Sequence, residues 1–378
     1  MNGTSWLGAW NEMNQINWDE VQAGDTILID GGTSGMRYYT PLTVGRGGTN
    51  SARITISRSE EENHNGIVYL GSTIYVDFPH VTIDGGDRDR FIIDYSDGGY
   101  IVRNPPGGNY FEFKNISLNT AFKETTPWGT PFYSNALNVL IKSCKFIGTN
   151  NEDQIKYNGT DGTLTIENSY FSGLTNHGAI HEDVVQVDVP GVNLIVRRNF
   201  FTNNGNDCFM MASGRCPGDC YLLGNLEFYY NVFSGVGDAI KADSARSLKV
   251  YNNVFDSCRD ILISSTPIDS RNNIYTGTSW SGPVHVHSGS TYSISDIGTE
   301  HWYPGQGNIQ AAPLFKDKAN GDYSLQQGSP AINAGTDVAL LADILGNPID
   351  ALPDIGAYEY VPGGDTTPPA APTGLAVN

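Results

Sequence analysis

Apolar and polar positions alternate along this chain in short runs broken by Gly, Asn and Ser, and one arrangement recurs. It runs apolar, any residue, apolar, two residues, Asn, any residue, aromatic. The copies read Leu194-Ile-Val-Arg-Arg-Asn199-Phe-Phe201, Leu226-Glu-Phe-Tyr-Tyr-Asn231-Val-Phe233, Leu248-Lys-Val-Tyr-Asn-Asn253-Val-Phe255 and Ile268-Asp-Ser-Arg-Asn-Asn273-Ile-Tyr275. Leu164-Thr-Ile-Glu-Asn168-Ser-Tyr170 is a copy one residue shorter, and Phe111-Glu-Phe-Lys-Asn115 a weaker one. Successive asparagines from Asn168 to Asn273 lie 31, 32, 22 and 20 residues apart. Period-two alternation in runs this short predicts β-strands, and self-similarity at such spacings predicts a repeat architecture.

A second run follows most copies after a Gly/Asn/Ser-rich turn: an Asp, then a short alternating strand. The copies begin at Asp153, Asp183, Asp207, Asp238 and Asp260. Each unit thus holds two or three short strands and cannot bury its apolar side alone, so units must stack into a solenoid. An Asn at the same turn of every coil can bond to the next coil's backbone and satisfy groups that a sharp turn leaves unpaired. The aromatic two residues later is expected to stack inside. The carboxylates heading the second runs are read as turn residues that bond local backbone N–H groups.

Gly and Pro, 44 and 19 of the 378 residues, argue against a helical bundle. No apolar run is long enough to span a bilayer as a helix, so no membrane insertion is expected. Lys and Arg number 22 against 41 Asp and Glu, a net charge of −19. That balance, with no basic tract, disfavours nucleic acid as a partner. Of five cysteines, Cys144, Cys208 and Cys258 fall in apolar strands and read as buried thiols, whereas Cys216 and Cys220 flank a polar loop and form either a small disulfide or two free thiols.

The two columns resemble those of right-handed parallel β-helix proteins, the pectate-lyase-like superfamily, with the closest look to its alginate lyases. Trp18 to Gly32 resembles that superfamily's opening, a short capping helix feeding the first strand, and Trp10 to Val21 is the candidate cap. His80-Val-Thr-Ile-Asp-Gly85 resembles an early coil. Ser329-Pro-Ala-Ile-Asn-Ala-Gly335 and Pro353-Asp-Ile-Gly-Ala-Tyr-Glu359 resemble the end of secreted bacterial members. The resemblance implies an all-β, single-stranded right-handed solenoid over 1–360, with an N-terminal cap and first strands in 1–50 and an irregular C-terminal cap in 311–360. Residues 361–378 read as a Pro/Thr-rich linker toward a further module. A monomeric, secreted protein is expected, its signal removed.

In the strand after each Asp, Ile155, Val185, Phe209, Ile240 and Leu262 read as inward. Alternation then turns Lys156, Gln186, Met210, Lys241 and Ile263 outward, on coils about 4.8 Å apart. Asn158, Asp188 and Asp243 lie in the next outward column. In the superfamily this strand lines the catalytic groove. The resemblance thus implies cleavage of an anionic uronate polymer, alginate before pectate, by β-elimination. That reaction needs the carboxylate neutralised, a base at C5 and an acid at O4. Lys241 and His181 are the candidates for base and acid, and Arg215 can clamp a carboxylate. Gln186, Lys156, Asp243, Arg103 and His177 are the candidate substrate contacts. Glu182, Asp183 and Asp188 offer the hard oxygens that suit a divalent cation, Ca²⁺ first. Two other readings stay open. One is a glycoside hydrolase of the same fold using paired carboxylates, such as Asp183 with Asp207 or Asp238. The other is a non-catalytic carbohydrate-binding or adhesin solenoid.

Overall fold

The computed structural model describes residues 3–95, 99–119, 129–148, 152–174, 182–203, 207–211, 222–242, 244–263, 268–279, 282–283, 289–297 and 304–363. Within them the chain visits three sheets in turn. Thr26–Ile29 opens the first, Gly35–Tyr38 the second and Leu42–Val44 the third, and the cycle then repeats. The described strands number 11, 12 and 9 in the three sheets. Every neighbour within them is parallel, as with Leu164 beside Leu194 and Leu194 beside Leu226. This is the expected right-handed parallel β-helix. It needs no long-range hairpin, since each coil pairs only with the coils above and below.

Two kinds of column hold the coils in register. Inside the second sheet, Phe146, Phe171, Phe201, Phe233, Phe255 and Tyr275 form one stack, with centroids 4.9 to 5.2 Å apart. At the corner between the first and second sheets runs the amide ladder. Asn231 Oδ1 accepts the N–H of Asn199 at 3.0 Å, and Asn253 and Asn273 repeat the bond one coil on. Each side-chain amide also donates back to a carbonyl, as Asn231 does to Val196. Ser169 and Ser293 continue the column at its ends.

Asn168 and Asn115 are not members of that ladder. They occupy the position before it, where seven successive coils turn through a left-handed residue: Asn115, Ser143, Asn168, Arg198, Tyr230, Asn252 and Asn272 have φ between 52° and 59°. Asn tolerates that backbone, and the Asn252 and Asn272 amides also bind the C-terminal stretch. The second-sheet member of that coil is therefore Phe171, not Tyr170, which faces out beside Phe200.

The N-terminal cap is not an α-helix. Trp10 to Val21 contains only a 3₁₀ turn, Met13–Gln15, with Met13, Ile16 and Val21 buried against the first coils. The C-terminal stretch runs outside the corner between the first and second sheets. Asn252 donates to the carbonyls of Asp354 and Gly356, and Arg198 to that of Ala342. Tyr323 and Lys318 both reach Asp256, at 2.6 and 2.8 Å. Tyr229 and Tyr251 are buried in this flank. Cys144, Cys208 and Cys258 are buried free thiols, as expected, and Cys216 and Cys220 lie outside the described residues, as does the linker from 364.

Candidate functional site

The third sheet carries the wall on which the sequence places the chemistry. Its registers join Thr43, Tyr75, Arg103, Tyr133, Lys156, Gln186, Met210 and Lys241 into a single column, one residue per coil. Their neighbours Val102, Phe132, Ile155, Val185, Phe209 and Ile240 are fully buried, so the column faces outward by alternation. Four of the expected site residues, Arg103, Lys156, Gln186 and Lys241, thus share one wall. Gln186 and Lys241 are two coils apart, with Met210, 7% exposed, between them.

The column ends differently from the expectation. Asp238 pairs with Arg259, Ile240 with Ile261 and Lys241 with Leu262, so Asp260 stands beside Ala239 and Ile263 beside Ala242. Counting from the Asp gave a register one residue off, because the last coil has Arg259 where the others have Asp.

The polar groups of the wall are already paired with one another. Lys156 Nζ lies 3.1 Å from Asp188 Oδ2 and 3.4 Å from Gln186 Oε1, and the Gln186 amide donates to Asp188 Oδ1 at 3.0 Å. Burial works to lower the Lys156 pKa, but the charge and hydrogen bond of Asp188, with Asp153 and Glu152 behind them, win and raise it. Lys156 is therefore a fixed cation and no base. Lys241 Nζ lies 3.4 Å from Asp207 Oδ2; its side chain is 37% exposed, that of Asp207 only 2%. Arg103 is exposed and rests on the Tyr75 ring, its guanidinium 5.6 Å from the centroid.

Behind the wall, at the turn into the third sheet, stands a second ladder made of carboxylates. Asp153 Oδ1 accepts the N–H of Asp183 at 3.1 Å, and Asp207 Oδ1 that of Asp238 at 3.2 Å. These aspartates bond the next coil. Burial, then the charge of Asp183, pushes the Asp153 carboxyl well above its usual range. Glu182 is fully buried, with neither oxygen hydrogen-bonded among the described residues, and burial, then Asp183 and Glu152, pushes it up to about 7.

Glu182, Asp183 and Asp188 do not converge. The first two sit in the buried turn, whereas Asp188 lies at the far end of the strand against Lys156. Among the described residues no three His, Cys, Asp or Glu side chains are grouped to hold a metal. The three do not fit a Ca²⁺ sphere, and no step is derived through one. His177, His181, Arg215 and Asp243 lie outside the described residues.

Sequence reasoning missed three tyrosines and the role of Asp207. Tyr75 and Tyr133 belong to the wall but follow no Asp; their coils lack the signal that flagged the others. Tyr100, 43% exposed, stacks on Tyr133 with centroids 4.4 Å apart. A half-open pocket of about 550 Å³ lies elsewhere, under the N-terminal segment between Trp10, Met13, Val21 and Ile29.

The fold is a parallel β-helix. The chain is similar to the crystal structure of pectate lyase Pel9A, with a TM-score of 0.55 and 14% identity over 91% of this chain and 90% of that one. A rhamnogalacturonan lyase (TM-score 0.41, 12% identity, 71% of this chain and 83% of that one) and a mutant of the PL6 family alginate lyase AlyGC (0.37, 10%, 91% and 57%) are more distant. No family model and no curated protein sequence matches the chain.

Proposed function

We propose that this protein is a secreted polysaccharide lyase that cleaves an anionic uronate polymer endolytically by β-elimination, with alginate preferred and pectate next. The observation that carries the reading is the continuous outward column on which Arg103, Lys156, Gln186 and Lys241 stand, cations and an amide on a chain of net charge −19. Beyond a screening length of about 8 Å the bulk acidity is damped, so the local cations decide binding. Polymer carboxylates lie against Arg103, Lys156 and the Gln186 amide, which hold the chain along the wall. The C4–O4 bond breaks as the C4–C5 double bond forms, and O4 takes a proton. Lys241 and His181 divide these two proton transfers, and Arg215 clamps the carboxylate of the reacting sugar. Any divalent cation enters this reading as a bridge to the polymer, which a chelator removes.

The hydrolase alternative is less well supported. It needs carboxylates on the wall, and Asp183, Asp207 and Asp238 are buried, with Asp207 and Asp238 bonded into the ladder. The test is a screen of alginate, pectate, hyaluronan and ulvan, with and without chelator, by viscosity and by ultraviolet absorbance of the conjugated uronate that elimination leaves. A fall in viscosity with rising absorbance is expected on alginate. New reducing ends without absorbance mean hydrolysis, and an unchanged polymer that still binds means a binding solenoid.

A further inference from the structure

The outward column continues well beyond the residues that the reaction needs. Tyr133 is four coils from Lys241 and Tyr75 six, about 19 and 29 Å at the coil spacing. These coils carry a different chemistry. Tyr100 and Tyr133 lie nearly parallel, 28° apart, and Tyr100 is exposed. Between Tyr133 and Tyr75 stands Arg103. Lys156 and Lys241 are each held by a carboxylate, but Arg103 has no carboxylate partner among the described residues; only the Tyr75 ring steadies it. A guanidinium so placed keeps its N–H donors open to an incoming anion.

We propose that Tyr75, Tyr100, Arg103 and Tyr133 form a distal platform that grips the same anionic polysaccharide four to six coils from Lys241. The inference rests on the polymer reading above and names where the far end of the chain is held. Aromatic faces carry partial negative charge and attract the C–H faces of pyranose rings, while Arg103 pairs with a uronate carboxylate. The coil spacing is close to the length that one sugar adds to an extended polymer, so a chain lying along the column meets about one side chain per sugar. A long polymer is then held at both ends of the wall, and the second contact is intramolecular.

The test is affinity electrophoresis of the whole chain through gels containing alginate or pectate, in the Lys241→Ala background so that the polymer is not consumed. Tyr100→Ala and Tyr133→Ala are each expected to weaken retention about threefold to tenfold. Tyr133→Phe should restore it. Arg103→Ala should weaken it and flatten its dependence on salt. Leu341→Ala, at an exposed site on the C-terminal flank, serves as the control. If an alanine variant does not fold, Tyr100→Leu and Tyr133→Leu keep the bulk and remove the ring face. Retention unaffected by loss of either ring, or no retention of the parent, overturns the platform. Ring-dependent retention with no unsaturated product from the unmutated protein overturns the lyase reading alone; unsaturated product with ring-independent retention overturns the platform alone.

Discussion

Asp207 and Lys241 belong to successive coils, and one carboxylate joins the acid ladder to the outward column. Its Oδ1 takes the backbone N–H of Asp238, and its Oδ2 faces the Lys241 ammonium at 3.4 Å. The outward Lys241 is therefore aimed by a buried, backbone-anchored group. Lys241→Ala should remove more than about 99% of turnover, the size of a general acid or base contribution, with an unchanged circular dichroism spectrum. Asp207→Asn keeps an acceptor for Asp238 and removes the charge. Turnover should fall about tenfold with little loss of stability, since the amide no longer fixes the ammonium. Full activity in the first variant removes Lys241 from the mechanism.

Gln186 and Lys156 should act on binding more than on rate. Both are tied to Asp188, and Lys156 is fixed as a cation, so neither can transfer a proton cheaply. Gln186→Ala and Lys156→Ala are expected to raise KM on polymer about fivefold to tenfold while kcat changes less than about threefold, the signature of lost uniform binding. Steady-state kinetics on alginate decide this, and a loss confined to kcat contradicts it.

The sequence made the coils legible because burial repeats. Leu164, Leu194, Leu226 and Leu248 align as their spacing implied, and so do the stacked rings and the outward Lys156, Gln186 and Lys241. It misled where two structural reasons select the same residue. Asn suits both the ladder and the left-handed turn before it, so Asn168 could not be told from Asn199. Asp suits both a local turn and a cross-coil bond, so Asp153 and Asp207 read as local. Tyr133 was invisible because Thr130 stands where later coils have Asp, and a strand of three residues carries too little pattern by itself. The three acids are kept apart for a geometric reason: Asp183 and Asp188 are near in sequence but lie at the two ends of an extended segment.

Two glutamates set an unusual dependence of stability on pH. Burial and the charge of Asp354 raise Glu359 from its ordinary value of 4.5 to about 8, and burial with Asp183 raises Glu182 to about 7. A raised carboxyl holds its proton in the folded chain where the unfolded chain has lost it. Folded protein therefore binds more protons between 4.5 and these values, and stability must fall as pH rises through that window. Glu167 acts oppositely: burial opposes ionisation, but bonds from Lys142 and Arg197 outweigh it and lower its pKa, so its contribution is lost only in acid. The urea midpoint should be highest near about pH 5 and decline toward about pH 8. Glu359→Gln should flatten the decline and raise the midpoint at the alkaline end. A midpoint that climbs over that range contradicts the assignment.

The ladder and the turn before it can be separated by substitution. Asn231 accepts from the N–H of Asn199 and donates to the Val196 carbonyl and to Asn253 Oδ1, all in a buried corner. Asn231→Ala strands those partners without water, at a cost of about 3 kcal/mol. Asn168 has φ of 52° and only its backbone matters. Asn168→Ala should cost about 1 kcal/mol through left-handed strain, and Asn168→Gly should recover most of it. Glycine cannot repair the ladder, because Asn231→Gly removes the same amide and adds chain entropy. Urea midpoints should decline from Asn168→Gly through Asn168→Ala and Asn231→Ala to Asn231→Gly, with glycine rescuing residue 168 and failing at residue 231. Equal rescue at both would mean that the amides of the column do not hold the coils together.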